Sequence, residues 1–213
     1  GKWTASFKMP AQDVETHVYF GDKDKVTLNG TDKEVDYDGT PKSVGDGIQA
    51  TIGGQDLSEQ FQGQYEVHYE GVNGTVYFST TPPTNAGTYS CRIKIPDSNV
   101  NYKSDPITVR LTIKKIATKT PKAPQAAAWT DTSVTLEAPS AFVDGTAIPA
   151  GYEVEYCVDQ GEWQDSPVFT GLTPETTYNF YVRLIEGVNT TASAASEAVT
   201  VQTKKASSDP SNP

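Results

Sequence analysis

The sequence is poor in the residues that most often carry chemistry. Its 213 residues include two histidines, two cysteines and one methionine. Neither His17 nor His68 belongs to a catalytic pattern, and no Gly-x-Ser-x-Gly element occurs. Cys91 and Cys157 stand far apart with no Cys-x-x-Cys pair, which excludes the usual zinc and thiol–disulfide motifs. One cysteine in each half also argues against a disulfide-stapled domain. No stretch approaches the ~18 consecutive apolar residues of a membrane-spanning helix, so no direct membrane insertion is expected of this segment. The opening Gly1-Lys2-Trp3 has no basic region followed by an apolar core, so it does not read as a secretory leader. The chain reads instead as starting inside a longer protein. Arg-Gly-Asp is absent: Arg92, Arg110 and Arg183 are followed by Ile, Leu and Leu.

Positive charge is scarce in one half. The net charge is −10. Residues 1–119 carry 15 acids and 13 bases, residues 120–203 carry 11 acids against Lys122 and Arg183, and the tail from Lys204 adds two lysines and Asp209. The three parts are therefore −2, −9 and +1. This asymmetry points to two units with different surfaces. A unit at −9 repels phosphate, so nucleic acid and anionic lipid are poor partners. Calcium or a basic protein suits it better, although plain solubility accounts for the same charge.

What is abundant is short alternation. Tyr65–Glu70, Tyr89–Ile95, Ile107–Lys114, Tyr152–Tyr156 and Tyr178–Leu184 all alternate apolar with polar. Period two means one buried and one wet face. Between these runs lie turn signals: Asn29-Gly30, Asp38-Gly39, Gly53-Gly54, Asn73-Gly74, Pro82-Pro83 and Asp144-Gly145. Asn73-Gly74 joins two strand candidates and predicts a tight hairpin. Gln55–Gln62 offers at most one helical turn, with Leu57 and Phe61 four apart. The fold class is therefore all-β, with many short strands in sandwiches or barrels. Lys114–Pro124, with four lysines and two prolines, predicts a semi-stiff connector, and the polar residues 204–213 predict a second linker or tail.

The candidate chemistry is thin. His68 stands between Glu66 and Glu70 on one strand face, which falls short of a four-ligand structural metal site. Asp97, Asn99 and Asn101 share a loop but lack the Gly and Glu of a calcium-binding loop. Cys91 alternates with Tyr89, Ile93 and Ile95 and reads as an inert core residue. Cys157 alternates with Glu153 and Glu155, whose charge is expected to raise its pKa. Paired carboxylates for sugar hydrolysis would need a cleft that two small sandwiches do not offer. No catalytic, metal or cofactor-binding residue is assigned, and no cofactor is expected. The aromatics are the best binding candidates: Tyr181 beside Arg183, Trp129 and Trp163. They can serve as exposed platforms for sugars or partner side chains, or simply cover a sheet face. Asn29-Gly-Thr31, Asn73-Gly-Thr75 and Asn189-Thr-Thr191 fit the glycosylation pattern.

Three resemblances add to this reading. Gly171-Leu172-Thr173-Pro174-Glu175-Thr176-Thr177-Tyr178-Asn179-Phe180-Tyr181-Val182-Arg183 resembles the E–F corner and F strand of a fibronectin type III domain. The resemblance implies that Leu172 plugs the core end and that Tyr178 sends its hydroxyl back to the corner backbone. It further implies strand B at Ser133–Leu136, strand C at Tyr152–Val158 and strand G at Ser196–Thr203. Strand B lacks the usual Trp, with Glu137-Ala138-Pro139 near its place, so Trp163 or Trp129 is expected to fill that volume. Residues 22–116 resemble a bacterial surface repeat known by its Tyr-Asp-Gly motif. Here the motif is Tyr37-Asp38-Gly39-Thr40-Pro41, with Pro83-Thr84-Asn85-Ala86-Gly87-Thr88-Tyr89, Asn101-Tyr102 and Leu111–Lys115 as its other elements. That family is an immunoglobulin-like β fold repeated on large exported proteins, and such stalks can carry a Lys–Asn or Lys–Asp isopeptide bond, which no motif marks here. Ser6–Val14 resembles the last strands of an internalin-type B repeat, so residues 1–21 are either a stump of an upstream repeat or an extra strand of the first domain.

The expected organisation is thus 1–21, an immunoglobulin-like repeat at 22–116, a fibronectin type III-like domain at 117–203, and a tail at 204–213. Pattern and resemblance together predict two tandem immunoglobulin-like/fibronectin type III-like β-sandwiches in a bacterial cell-surface or secreted protein. The chain is expected to be a monomer and a non-catalytic spacer, with adhesion to a protein or glycan ligand at the cell exterior. The alternative is a carbohydrate-binding accessory module of an extracellular enzyme.

Overall fold

The computed structural model describes residues 21–206. The N-terminal segment resembling an internalin repeat lies outside the described residues. The chain divides into two compact units that meet between Lys114 and Lys115.

Among the described residues the first unit contains nine strands: β1 (Asp24–Asn29), β2 (Lys33–Asp36), β3 (Gln49–Ile52), β4 (Gln55–Asp56), β5 (Glu66–Val72), β6 (Phe78–Ser79), β7 (Gly87–Lys94), β8 (Tyr102–Ser104) and β9 (Ile107–Lys114). They form a four-stranded sheet, β4-β3-β1-β8, and a five-stranded sheet, β2-β9-β7-β5-β6. The single helical turn α1, Ser58–Phe61, lies in the stretch expected to hold one, and it buries Phe61. Inward residues of both sheets share one core, with Val26, Leu28 and Ala50 from one side and Tyr69, Tyr89, Cys91, Ile93, Val109, Leu111 and Ile113 from the other. This is a sandwich: period-two alternation turns one face of each sheet inward. The chain changes sheets between β1 and β2. Gly30 sits at that crossing, where a Cβ would come within 2.7 Å of Ile48 Cδ1 and 2.8 Å of Val109 Cγ1. Asp32 then anchors the crossing by accepting the Arg110 N–H at 2.7 Å.

The second unit contains β10 (Gln125–Trp129), β11 (Ser133–Glu137), β12 (Val154–Val158), β13 (Val168–Thr170), β14 (Thr177–Leu184) and β15 (Val199–Gln202). Its sheets are β10-β11-β13 and β12-β14-β15. Val134, Leu136 and Phe169 meet Tyr156, Phe180, Val182 and Val201 in its core. The chain is therefore all-β, a tandem of two immunoglobulin-like sandwiches.

Much of the lysine- and proline-rich stretch expected as a semi-stiff connector is fastened to the second unit. Ile116 N–H bonds to Asn189 C=O at 3.0 Å, and Lys122 N–H bonds to Ala141 C=O at 3.0 Å. Lys119 pairs with Asp144 at 2.6 Å. Main-chain pairing and a lysine reaching an acid fix this stretch beyond the stiffness its prolines supply.

Candidate functional site

The aromatic candidates belong to the second unit, and strand register explains where they stand. On β12, Val154, Tyr156 and Val158 face the core, which sends Glu155 and Cys157 to the outer face. On β14, Phe180 and Val182 are buried, which sends Tyr181 and Arg183 outward. Pairing sets Glu155 opposite Arg183 and Cys157 opposite Tyr181. Arg183 donates from Nε and a terminal nitrogen to Glu155 Oε2, at 2.9 and 2.7 Å. Its guanidinium carbon stands 4.4 Å from the centroid of the Trp163 ring. One flat cation is thus held between a carboxylate and an indole face. The segment carrying Trp163 is pinned by the reciprocal main-chain bonds of Tyr156 and Gln164, at 2.8 and 2.9 Å.

This arrangement corrects three expectations. Trp163 does not fill the core volume left by the missing strand-B Trp; it lies on the outer face, under Arg183. Trp129 does not fill it either: it is 40% exposed at the end of β10, with Lys204 Nζ 5.9 Å from its ring centroid. Phe169 and Phe180, with ring centroids 5.0 Å apart, together with Tyr156 make up the core's large apolar volume instead. Cys157 is buried, and that burial is the main cause of its raised pKa. Glu153 and Glu155 are not the cause: Arg183, engaged by Glu155, pulls the thiol the other way, and of the nearby acids Asp159 adds a small upward push. Cys91 is fully enclosed in the first core, where burial raises its thiol to about 11.

The fibronectin-like corner has the geometry that the resemblance implied. Tyr178 Oη accepts the Thr173 N–H at 3.0 Å, and Leu172 packs against the core. In the first unit, the Tyr-Asp-Gly motif is a turn lock. Asp38 Oδ1 accepts both the N–H and the hydroxyl of Thr40, at 2.8 and 2.6 Å, and Lys42 caps the other oxygen. Gly39 takes a left-handed φ of 81°, which favours glycine. Lys42 N–H then bonds to Pro83 C=O at 2.8 Å, so the motif and its distant partner signature meet. Within that signature, Tyr89 Oη donates to Asn85 C=O at 2.6 Å. The second unit repeats the lock: Asp144 Oδ1 accepts the N–H and hydroxyl of Thr146, and Lys119 pairs with its other oxygen. The lysine and threonine partners hold both carboxyls well below the usual carboxylate range.

The other candidates are occupied by the fold. His68 Nε2 lies 3.0 Å from Glu66 Oε1, and Lys94 bridges Glu66 and Asp97. Asn99 Oδ1 accepts the N–H groups of Asn101 and Tyr102 and so closes its own loop. Asn29 lies in β1 opposite Gln49, and Asn73 is exposed at the β5–β6 turn.

Sequence reasoning overlooked two features. Ser193 and Ser196 are buried and accept the N–H groups of Leu184 and Val182 through their hydroxyls, at 2.9 and 3.1 Å. The Ser-x-x-Ser spacing was a signal for them. Phe78, in the last strand of the five-stranded sheet, and Val76, two residues before it, are exposed. Their signal was the complete lack of charge from Gly71 to Ser90.

No family model and no curated protein matches this chain. Solved structures do. A human fibronectin type III domain is 19% identical, with 44% of this chain and 79% of that one covered and a TM-score of 0.31. A segment of titin is 17% identical over 84% of this chain and 66% of its own, with a TM-score of 0.33. A two-domain fibronectin type III segment of chicken tenascin is 15% identical over 73% and 90%, with a TM-score of 0.34. These likenesses concern the fold alone.

Proposed function

We propose that this chain is a non-catalytic modular segment of a bacterial cell-surface or secreted protein, a spacer that presents neighbouring domains and takes part in adhesion. In this reading, residues 22–116 are the Tyr-Asp-Gly repeat and 117–203 the fibronectin type III-like domain, with their binding partners at the cell exterior. One observation carries it: the side chains with the most chemical promise are already engaged in holding the fold. Asp38 and Asp144 lock turns, Asn99 closes its loop, Tyr178 fastens a corner, and both thiols are buried. Trp163, the strongest sugar-platform candidate, has Arg183 over its ring. The charge of −9 over residues 120–203 disfavours nucleic acid and anionic lipid.

The test is a glycan and host-matrix binding array with the whole chain, repeated with Trp129→Ala. The spacer reading expects no saturable signal that depends on Trp129. A saturable glycan signal lost in that variant would replace it with a carbohydrate-recognition module.

A further inference from the structure

The chain holds two Asn-Gly pairs, Asn29-Gly30 and Asn73-Gly74, and the fold treats them differently. In such a pair the glycine main-chain nitrogen can attack the asparagine Cγ, because no side chain on the glycine obstructs the approach. The attack needs freedom to rotate about the asparagine Cα–C bond and a glycine N–H with no other engagement. Asn29 lacks that freedom: it lies in β1, paired with Gln49, and the side chains of Ile48 and Val109 hem in Gly30. Asn73 and Gly74 are both exposed, in a turn closed by one bond from the Thr75 N–H to the Val72 C=O at 3.1 Å. Among the described residues, no hydrogen bond holds the Asn73 side chain or the Gly74 N–H. Nothing lies within 4 Å of the place a Gly74 Cβ would take. Asn73 also stands at a left-handed φ of 54°, which costs a residue with a side chain, so rotation there relieves strain. The residue after the pair is clamped. Thr75 passes over Gly71, where a Cβ would stand 2.3 Å from the Thr75 carbonyl oxygen, and its Oγ1 accepts the Thr88 N–H at 3.0 Å.

We propose that Asn73 is a site of spontaneous modification, where conversion to isoaspartate releases the Thr75 clamp and loosens the first unit. The Gly74 nitrogen forms a bond to Asn73 Cγ, the Cγ–Nδ2 bond breaks, and ammonia leaves with the proton from the Gly74 N–H. The five-membered succinimide that results is opened by water at either carbonyl. One opening gives aspartate; the other routes the main chain through the side-chain carbon and gives isoaspartate. The sum is asparagine plus water to an acid plus ammonia, with no oxidant and no enzyme. Isoaspartate adds one carbon to the main chain at the tip of the turn. The connection is then too long for the Val72–Thr75 bond, and Thr75 leaves its place over Gly71 and beside Thr88. Asn29 is spared because its peptide is set in the ladder, which opens far less often than a turn tip. This inference does not depend on the spacer reading.

The test is incubation of the whole chain at mildly alkaline pH, folded and in urea, until the unfolded sample has converted at both Asn-Gly pairs. Peptide mapping by mass spectrometry, with fragmentation that separates isoaspartate from aspartate, reads each site. In the folded chain Asn73 should convert at least about tenfold faster than Asn29, whereas in urea the two should react alike. The folded chain carrying isoaspartate at position 73 should expose Cys91, on β7 beside β5, to thiol labelling faster than the unmodified chain, with Cys157 unchanged. Asn73→Asp supplies the charge without the extra main-chain carbon and should leave Cys91 labelling in place. Three results would overturn the proposal: Asn73 intact in the folded chain, Asn29 converting as fast as Asn73 there, or Cys91 labelling that isoaspartate does not raise above that of Asn73→Asp.

Discussion

In the second unit, the hydroxyls of Ser193 and Ser196 sit on the N–H groups of Leu184 and Val182; in the first, the N–H of Phe78 faces solvent at the end of its sheet. Both units are sandwiches of similar strands, so the difference lies in local sequence rather than in fold. Each serine works on both sides of one β14 residue. Ser193 N–H bonds to Leu184 C=O and Ser196 N–H to Val182 C=O, both at 2.9 Å. Each hydroxyl then donates its own hydrogen to the next carbonyl, of Ala194 or Glu197. Buried main-chain groups thus stay paired where the strand ladder is irregular. At β6, among the described residues, no side-chain hydroxyl takes that role for Phe78.

Each unit also carries one buried cysteine, Cys91 in the first and Cys157 in the second. Pulsed thiol labelling followed by mass spectrometry can therefore report the opening of each unit separately. The largest effect should come from Gly71→Ala. A Cβ there would stand 2.3 Å from the Thr75 carbonyl oxygen and 2.8 Å from the Tyr77 nitrogen, and main chain cannot step aside as a side-chain tip can. We expect a loss of about 3 kcal/mol, at the upper end of overpacking costs, seen as faster labelling of Cys91 with Cys157 unchanged. Next comes Ser196→Ala, which leaves the buried Val182 N–H without its hydroxyl acceptor. It should cost about 2 kcal/mol and appear in Cys157 labelling alone. If Cys91 labelling rises as well, the two units do not unfold independently.

Tyr178→Phe removes the single bond to the Thr173 N–H and should cost about 1 kcal/mol in urea unfolding of the second unit. Phe78→Lys should change stability by no more than about 0.5 kcal/mol, as expected of an exposed site. Acid sharpens the comparison differently, because both units use the same Asp-Gly-Thr lock. Asp38 and Asp144 have pKa values lowered on folding, so the stability they contribute is present above the ordinary carboxylate pKa of 3.8. It is lost only as pH falls through their depressed folded values. Carboxyl-carbon NMR should show both still ionised well below the ordinary carboxylate pKa of 3.8. Lys119→Ala should move Asp144 back toward the ordinary range and leave Asp38 where it is.

The features legible in the sequence are those that close within a few residues. Asn73-Gly74 forms the expected tight turn, with left-handed φ of 54° and 87°. The Tyr178 hydroxyl bond reaches back only five positions, to the Thr173 N–H. The tryptophans were misplaced because their position depends on how the stretch from Asp159 to Gln164 folds back beside β12. Composition and alternation carry no information on that. Cys157 lay on the polar side of its strand by alternation, yet it is buried, opposite Tyr181. The serine edge was hidden for a related reason: alternation describes a regular ladder, and here hydroxyls stand in for main-chain acceptors. The exposed Val76 and Phe78 were the most readable of the overlooked features, since a charge-free run across a hairpin is visible without any structure.

Native-state hydrogen exchange on the whole chain at micromolar concentration tests the contrast most directly. The Val182 and Leu184 amides should exchange slowly, as deeply bonded groups do, although their acceptors are side-chain hydroxyls. The Phe78 amide should exchange at nearly the unprotected rate. Rapid exchange at Val182 and Leu184, or a protected Phe78 amide in dilute solution, would contradict the account of hydroxyl-paired β14 amides in one unit and an outward-facing β6 amide in the other.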